Sequence, residues 1–150
     1  KAVDLVEQKL GKPRTVSLSS VVPVSGGEMR SFDAFLGDEL MKRPQGFSHE
    51  TIRHLVHIYG SEYRKILQYC EQDSEWAEPV CGDSPAIKAQ ILHAGREEMA
   101  CTLEDILYRR TELAATGEPD EASVNTCADI IARELKSCGA SRQAALAQRA

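Results

Sequence analysis

One uninterrupted run constrains the fold most: residues 87–115, IKAQILHAGREEMACTLEDILYRRTELAA, which contain no proline and a single glycine, Gly95. No other part of the chain is as helix-prone, and the shorter helices should be arranged around it. The run reads as two helices. Thr102 followed three residues later by Asp105 is a capping-box-like start, with the acid where free N–H groups and the positive dipole end favour it. The first helix then covers 85–99, with Pro85 suited to its first turn. At 100° per residue Ile87, Ile91 and Ala94 share a face with Glu98 in its middle. In the second helix Leu103, Ile106, Leu107 and Ala114 share a face with Arg110 in its middle. An unpaired charge on a buried stripe is costly, so Glu98 and Arg110 are expected to pair between the helices. The competing arrangement has both snorkelling to the domain edge. Asp105 and Arg109, at i and i+4, need be no more than a surface pair.

A chain of 150 residues suggests one domain, able to bury about 68–70% of its unfolded surface without a disulfide or metal. Hydrophobic content of 42% and charged content of 27% are globular values, which excludes disorder as the class. A net charge of −5 argues against a nucleic-acid partner, which would require a basic face. No run approaches the roughly 18–20 apolar residues of a membrane span, and no secretory signal is present. Of five cysteines, Cys70, Cys127 and Cys138 fall on apolar helical stripes, Cys81 and Cys101 near helix ends or in loops, and none forms a CxxC pair. A reducing cytoplasm suits that pattern.

Along the chain, Val3, Val6 and Leu10 mark a helix closed by Gly11, with no starting methionine and no N-cap, so residues 1–11 read as a helix cut from a longer protein. Residues 12–30 carry Pro13, Pro23, Gly26 and Gly27 and no helical period, which predicts an extended surface linker with room for one short strand. Ser31 caps a helix over 32–43 with Phe32, Phe35, Leu36 and Leu40 inward. Ser48 caps the next, with Ile52, Leu55, Val56 and Tyr59 on one stripe up to Gly60. Ser61 caps another, burying Tyr63, Ile66, Leu67 and Cys70. Trp76, Pro79 and Val80 should plug one end of the core. After a turn at 117–120, the stripe Val124, Cys127, Ala128, Ile131, Leu135 and Cys138 defines a helix over 121–138. Gly139 ends it, and Ser141 opens a last helix to Ala150, again as if cut. The expected fold is all-α: a compact orthogonal bundle of about seven short helices preceded by an extended linker.

Chemistry-bearing constellations are scarce. His54 and His57, with His49 a turn earlier, have a spacing that can hold zinc, but only Cys81 or His93 could complete the ligand set, and a solvated helix face is the better reading. The helix–Gly60-Ser61–helix outline resembles a helix-turn-helix, but Glu62 sits where phosphates would lie. Glu97 and Glu98 are adjacent, so they point to different faces and cannot act as paired carboxylates. No nucleophile elbow or phosphate loop is present, and Gly26-Gly27 lacks the strand and helix of a dinucleotide fingerprint. The residues show no catalytic, cofactor-binding or metal site.

Four segments carry a resemblance: PVSGG at 23–27, IYGSEY at 58–63, AEPVC at 77–81, and REEMACTLEDILYRRTELA at 96–114. The last is similar to a family run of Arg-x-Glu-Met, then Thr-Leu-x-Asp-x-Leu, then Arg-Arg-Thr. Most of residues 1–138 thereby resembles the C-terminal helical (cap) domain of FAD-dependent glycerol-3-phosphate dehydrogenases and α-glycerophosphate oxidases. The resemblance implies a parent enzyme that oxidises sn-glycerol 3-phosphate to dihydroxyacetone phosphate. FAD and the substrate residues would lie upstream, so that no catalytic or cofactor residue carries over to this chain. It implies three parts: 1–11 as the end of the upstream flavin domain's last helix, 12–30 as linker, and 31–150 as the cap. Nothing functional attaches to His93 or Cys101, where the family more often has other residues. The expected partners are the upstream flavin domain and a surface for self-association or another protein, with no nucleic acid, and with a membrane only through the parent. A cytoplasmic location follows, which allows the parent a peripheral place at the inner face of the cytoplasmic membrane. The competing function is a free-standing helical adaptor.

Overall fold

The computed structural model describes residues 2–13, 18–115 and 117–137, without the side chains of 135–137. Expectations placed on Leu135, Cys138, Gly139, residues 141–150 and the linker at 14–17 lie outside the described residues. All regular structure among those described is helical, apart from a lone antiparallel bridge between Pro79 and Ile87. The elements are α1 (Ala2–Lys9), α2 (Phe32–Met41), α3 (His49–Tyr59), a 3₁₀ turn (Gly60–Glu62), α4 (Tyr63–Gln72), a second 3₁₀ turn (Ser74–Ala77), α5 (Lys88–Arg96), α6 (Leu103–Asp105) and α7 (Glu121–Ser137). A π turn (Ile106–Arg110) follows α6 directly.

The class is the expected all-α; with α6 only three residues long, six α-helices of two turns or more remain among the described residues, because 102–115 contain little α-helix. Thr102 and Asp105 do close a capping box: Asp105 N–H donates to the Thr102 hydroxyl at 3.0 Å, and Thr102 N–H to the Asp105 carboxylate at 3.1 Å. The helix so begun widens after one turn. Both the N–H and the hydroxyl of Thr111 donate to the Ile106 carbonyl, at 3.0 and 2.7 Å, which closes a five-residue turn and turns the chain out to an extended Thr111.

The start of α5 also differs. Residues 78–80 and 86–88 pair backbone to backbone, with Val80 N–H on Ala86 O and Lys88 N–H on Glu78 O, both at 2.9 Å. That pairing holds Ile87 extended, so Pro85 lies in the turn before the helix rather than within it. At the far end Met99 adopts a left-handed φ of 57°, which lets Ala100 N–H reach back to Ala94 O at 3.0 Å. For a residue with a Cβ this conformation costs about 1–2 kcal/mol.

Short as it is, α5 is the centre of the molecule. Every residue from Ala89 to Ala94 is buried. One side contributes Ile91 and Ala94 to a cluster with Leu103, Ile106 and Leu107 and with Val124, Cys127, Ala128 and Ile131 of α7. The other side contributes Ala89, with Ile87, to a cluster with Ile52, Leu55 and Val56 of α3 and Tyr63, Ile66 and Leu67 of α4. Trp76 packs, partly buried, against both clusters. The neighbours wrap this helix all round, so that Gln90 and His93 are buried along with its apolar side chains. Two bidentate ion pairs fasten α7 to the rest: Arg96 to Glu134 at 2.6 and 2.9 Å, and Arg133 to Glu75 at 3.1 and 2.8 Å.

Ser31 and Ser48 accept from Ala34 N–H (3.4 Å) and Thr51 N–H (2.9 Å) as N-caps of α2 and α3. Ser61 does not cap α4, whose N-cap residue, Glu62, makes no side-chain capping bond. The 3₁₀ turn carries the chain from α3 into α4 with no extended residue between, so the geometry a capping serine requires never arises. Ser61 instead holds the linker, its N–H on Gly26 O at 3.0 Å and its hydroxyl on Glu28 Oε2 at 2.6 Å. Around that point the linker is a series of tight turns, with no strand among its described residues.

Candidate functional site

Gly26 and Gly60 cross backbone against backbone. A Cβ on Gly60 would stand 1.9 Å from Gly26 O, and one on Gly26 would stand 2.6 Å from Tyr59 O. The crossing brings the 23–27 segment onto the 58–63 segment, and beside it opens a cleft of about 370 Å³. Ser25 comes from the first segment, Ile58, Tyr59 and Glu62 from the second, and Glu97 and Glu98 from the start of the 96–114 segment; Lys65 and His93 complete the wall. Three of the four segments that carry the family resemblance therefore meet at one place.

Two side chains at this cleft are deeply buried and lack a hydrogen-bond partner among the described residues: the Tyr59 hydroxyl and His93 Nδ1. Their rings pack edge to face, with centroids 5.6 Å apart. The Gln90 amide comes close enough to oppose the effect of burial on the Tyr59 hydroxyl without closing a hydrogen bond of normal length; its oxygen accepts from Ile87 N–H at 3.0 Å and its nitrogen lies 3.4 Å from His54 Nε2. Burial pushes the Tyr59 phenol up to about 12. Burial likewise holds His93 below the ordinary imidazole range, against the opposing pull of Glu98 and Glu97. A nearby depression of about 540 Å³ is larger, but its cations are already paired: Arg133 with Glu75, and Lys88 with Glu78 and Glu75. The smaller cleft, with polar atoms still to be satisfied, is the better candidate.

His54 is also held low, first by burial. Both imidazoles thus bind protons more readily in the unfolded chain, and the stability they confer is complete above the ordinary value of 6.5 and lost as the pH falls below it. Asp120, at about 2, and Glu75 and Asp105, also lowered, lose their contributions only in a lower window, below the ordinary carboxylate values of 3.8 to 4.5. Urea titrations should therefore show the midpoint falling between pH 7.5 and 5.5, before Glu75, Asp105 and Asp120 protonate. His93→Phe should flatten that slope, and an unchanged slope in this variant would contradict the account.

The expected Glu98–Arg110 pair does not form. It was placed on two continuous α-helices; α5 ends at Arg96, and the π turn alters the angular step before Arg110. Glu98 is half-buried at the cleft near Tyr59 and His93, while Arg110 is exposed, and no ion pair joins them. Arg109 donates to Asp105 at 2.5 Å on the surface. His57 stacks on Phe32, His54 lies 3.9 Å from Glu112, and among the described residues no three metal-ligating side chains come together. The 77–81 segment has a structural task. Asp120 accepts from Ser123 N–H at 2.9 Å and from the Ser123 hydroxyl at 2.7 Å, and the Cys81 thiol packs 2.8 Å from that hydroxyl and 3.3 Å from the carboxylate. These bonds hold the Asp120 carboxyl near 2 and clamp the loop to the first turn of α7. Tyr59 was legible only as a core residue and His93 only as a remote zinc ligand, since helical periodicity does not reveal which buried polar atom lacks a partner.

Residues 17–142 match the family model of the C-terminal domain of alpha-glycerophosphate oxidase. The chain is similar to a glycerol-3-phosphate dehydrogenase of Synechocystis sp., 32% identical over 112 residues, covering 75% of this chain and 20% of that protein. It is also similar to a probable mitochondrial glycerol-3-phosphate dehydrogenase of Dictyostelium discoideum, 30% identical over 93 residues, covering 62% of this chain and 14% of that one. The chain thus spans a fifth or less of the length of these curated relatives. No solved structure matches it.

Proposed function

Because this chain belongs to the family of alpha-glycerophosphate oxidase C-terminal domains, we propose that it serves as the non-catalytic C-terminal module of a flavoprotein that oxidises sn-glycerol 3-phosphate to dihydroxyacetone phosphate. FAD and substrate are held by the upstream domain, against which this module packs. Residues 1–11 close that domain, 12–30 link, and 31–150 form the module. The residues present do not fit FAD. Of the adjacent glycines that could cradle a pyrophosphate, Gly26 is used in the backbone crossing with Gly60 and Gly27 turns back on Val24 O, and no strand precedes them among the described residues.

The observation that carries the packing role is the state of the N-terminal stretch. Helix α1 buries nothing, and Val3, Leu5, Val6, Leu10, Leu18 and Val24 stand exposed, Val3 at 69% and Val24 at 84%. So many neighbouring apolar side chains on an otherwise well-packed domain mark a contact surface. Val24 lies two residues before Gly26, which Ser61 N–H holds at the α3–α4 corner.

Mixing the purified chain with FAD and glycerol 3-phosphate should give neither a bound-flavin spectrum nor reduction of an electron acceptor dye; either one would overturn the assignment. For the packing role, a Val3→Asp and Val6→Asp double variant should leave the melting of this chain nearly unchanged. Exposed positions of this kind usually move stability by no more than about 0.5 kcal/mol. In the whole parent the same pair should lower the melting temperature, and equal insensitivity there would count against docking through α1.

A further inference from the structure

The floor and mouth of the cleft select the same kind of ligand. At the floor, Tyr59 and His93 are only 8% and 9% exposed, and the hydroxyl of one and Nδ1 of the other close no hydrogen bond among the described residues. At the mouth, Glu97 and Glu98 form no ion pair among the described residues, while Lys65 is neutralised by Glu62. We propose that this cleft binds a guanidinium or ammonium group, with Glu98 and Glu97 supplying the countercharge and the Tyr59 hydroxyl and His93 Nδ1 accepting its N–H donors.

Other ligand classes fit less well. An anion would face two unpaired carboxylates. A metal ion would require three converging ligands, which the described residues do not provide. An apolar group would leave the phenol and imidazole buried and unsatisfied, the costliest state for such groups. A nitrogen cation offers both positive charge and several donors. Guanidinium is the better form, since its planar fork presents five N–H groups that can engage a carboxylate and two further acceptors together. Burial keeps the imidazole neutral, which leaves a ring nitrogen free to accept. The cleft's volume of about 370 Å³ admits a side-chain-sized group. The group has two possible sources: a free guanidino or amino compound, or a basic side chain of polypeptide outside this chain. The inference stands on the cleft alone and does not depend on the proposed packing role.

Titrating the ¹⁵N-histidine-labelled chain with methylguanidinium chloride should shift the His93 resonances saturably, against sodium chloride at matched ionic strength. Tetramethylammonium, a cation without donors, should bind more weakly. Glu98→Gln removes a charge-assisted hydrogen bond and should weaken methylguanidinium binding about tenfold. Tyr59→Phe should weaken binding while raising the melting temperature, because an unpartnered buried hydroxyl is removed. A purely structural tyrosine would leave binding unchanged. To identify the source, the same titration is run on the longer protein that includes the upstream domain. His93 already shifted and unresponsive there would assign the group to a basic side chain of that domain, and a retained response would assign it to a free compound. A response no larger than that to sodium chloride in this chain, or both polar atoms satisfied by bound water alone, overturns the proposal.

Discussion

Gly60→Ala is expected to unfold most of the molecule at ambient temperature, with a loss of about 4 kcal/mol or more. Two costs coincide at this position. Its backbone, at φ 56° and ψ −133°, lies in a region open in practice only to glycine. The added methyl would also stand 1.9 Å from Gly26 O and 2.8 Å from its carbon, and both are backbone atoms with no rotamer by which to move aside. Relief requires separating the linker from the α3–α4 corner, which breaks the Ser61 N–H to Gly26 O bond and opens one wall of the cleft. Gly46→Ala provides the control: φ is +96°, but nothing lies within 4 Å, so only backbone strain of about 1–3 kcal/mol applies. Urea denaturation of both variants separates the contributions. A Gly60→Ala midpoint no lower than that of Gly46→Ala would mean that the crossing does not hold the linker in place.

The second large effect is expected at Glu39. This carboxylate is 5% exposed on α2 and accepts from both the Tyr63 hydroxyl and the Arg64 guanidinium of α4. Burial and the bond to Glu39 together push the Tyr63 phenol well above its ordinary range. Glu39→Ala removes the acceptor, leaves the phenol buried without a partner, and cuts the polar link between the two helices. Breaking a buried hydrogen-bonded charge network in this way costs about 2–4 kcal/mol. Tyr63→Phe should cost less, since the carboxylate keeps the half-exposed Arg64, and the double variant should cost less than the sum of the two singles. Equal, additive losses across the cycle would show that the three side chains do not act as a unit.

Helical class and most of the core were legible because periodicity is a local property. Ile52, Leu55, Val56, Tyr59, Tyr63, Ile66 and Leu67, and then Val124, Cys127, Ala128 and Ile131, follow the 3.6-residue repeat and are buried. The same reasoning misplaced Glu98 and Arg110, since it carries an angle forward only while the helix stays α. It passed over Glu39, which at 100° per residue falls among Phe35, Leu36 and Leu40 on the inward face and is the most deeply buried of the four. It took Ser61 for a cap because the next apolar stripe begins just after it, whereas the N-cap residue of α4 is Glu62, already helical and without a capping bond.

From the sequence alone came what a helix requires of its own residues: apolar spacing, the Ser31, Ser48 and Thr102 ends, and a proline-free, helix-prone centre around which the shorter helices are arranged. The tertiary structure alone decided where chain segments far apart in number meet. Ser25, Tyr59, His93 and Glu98 share a cleft only because two glycines without side chains let the linker cross the α3–α4 corner in direct backbone contact. No local pattern encodes that meeting, because it depends on the absence of atoms at two positions 34 residues apart and on packing that neither segment has by itself.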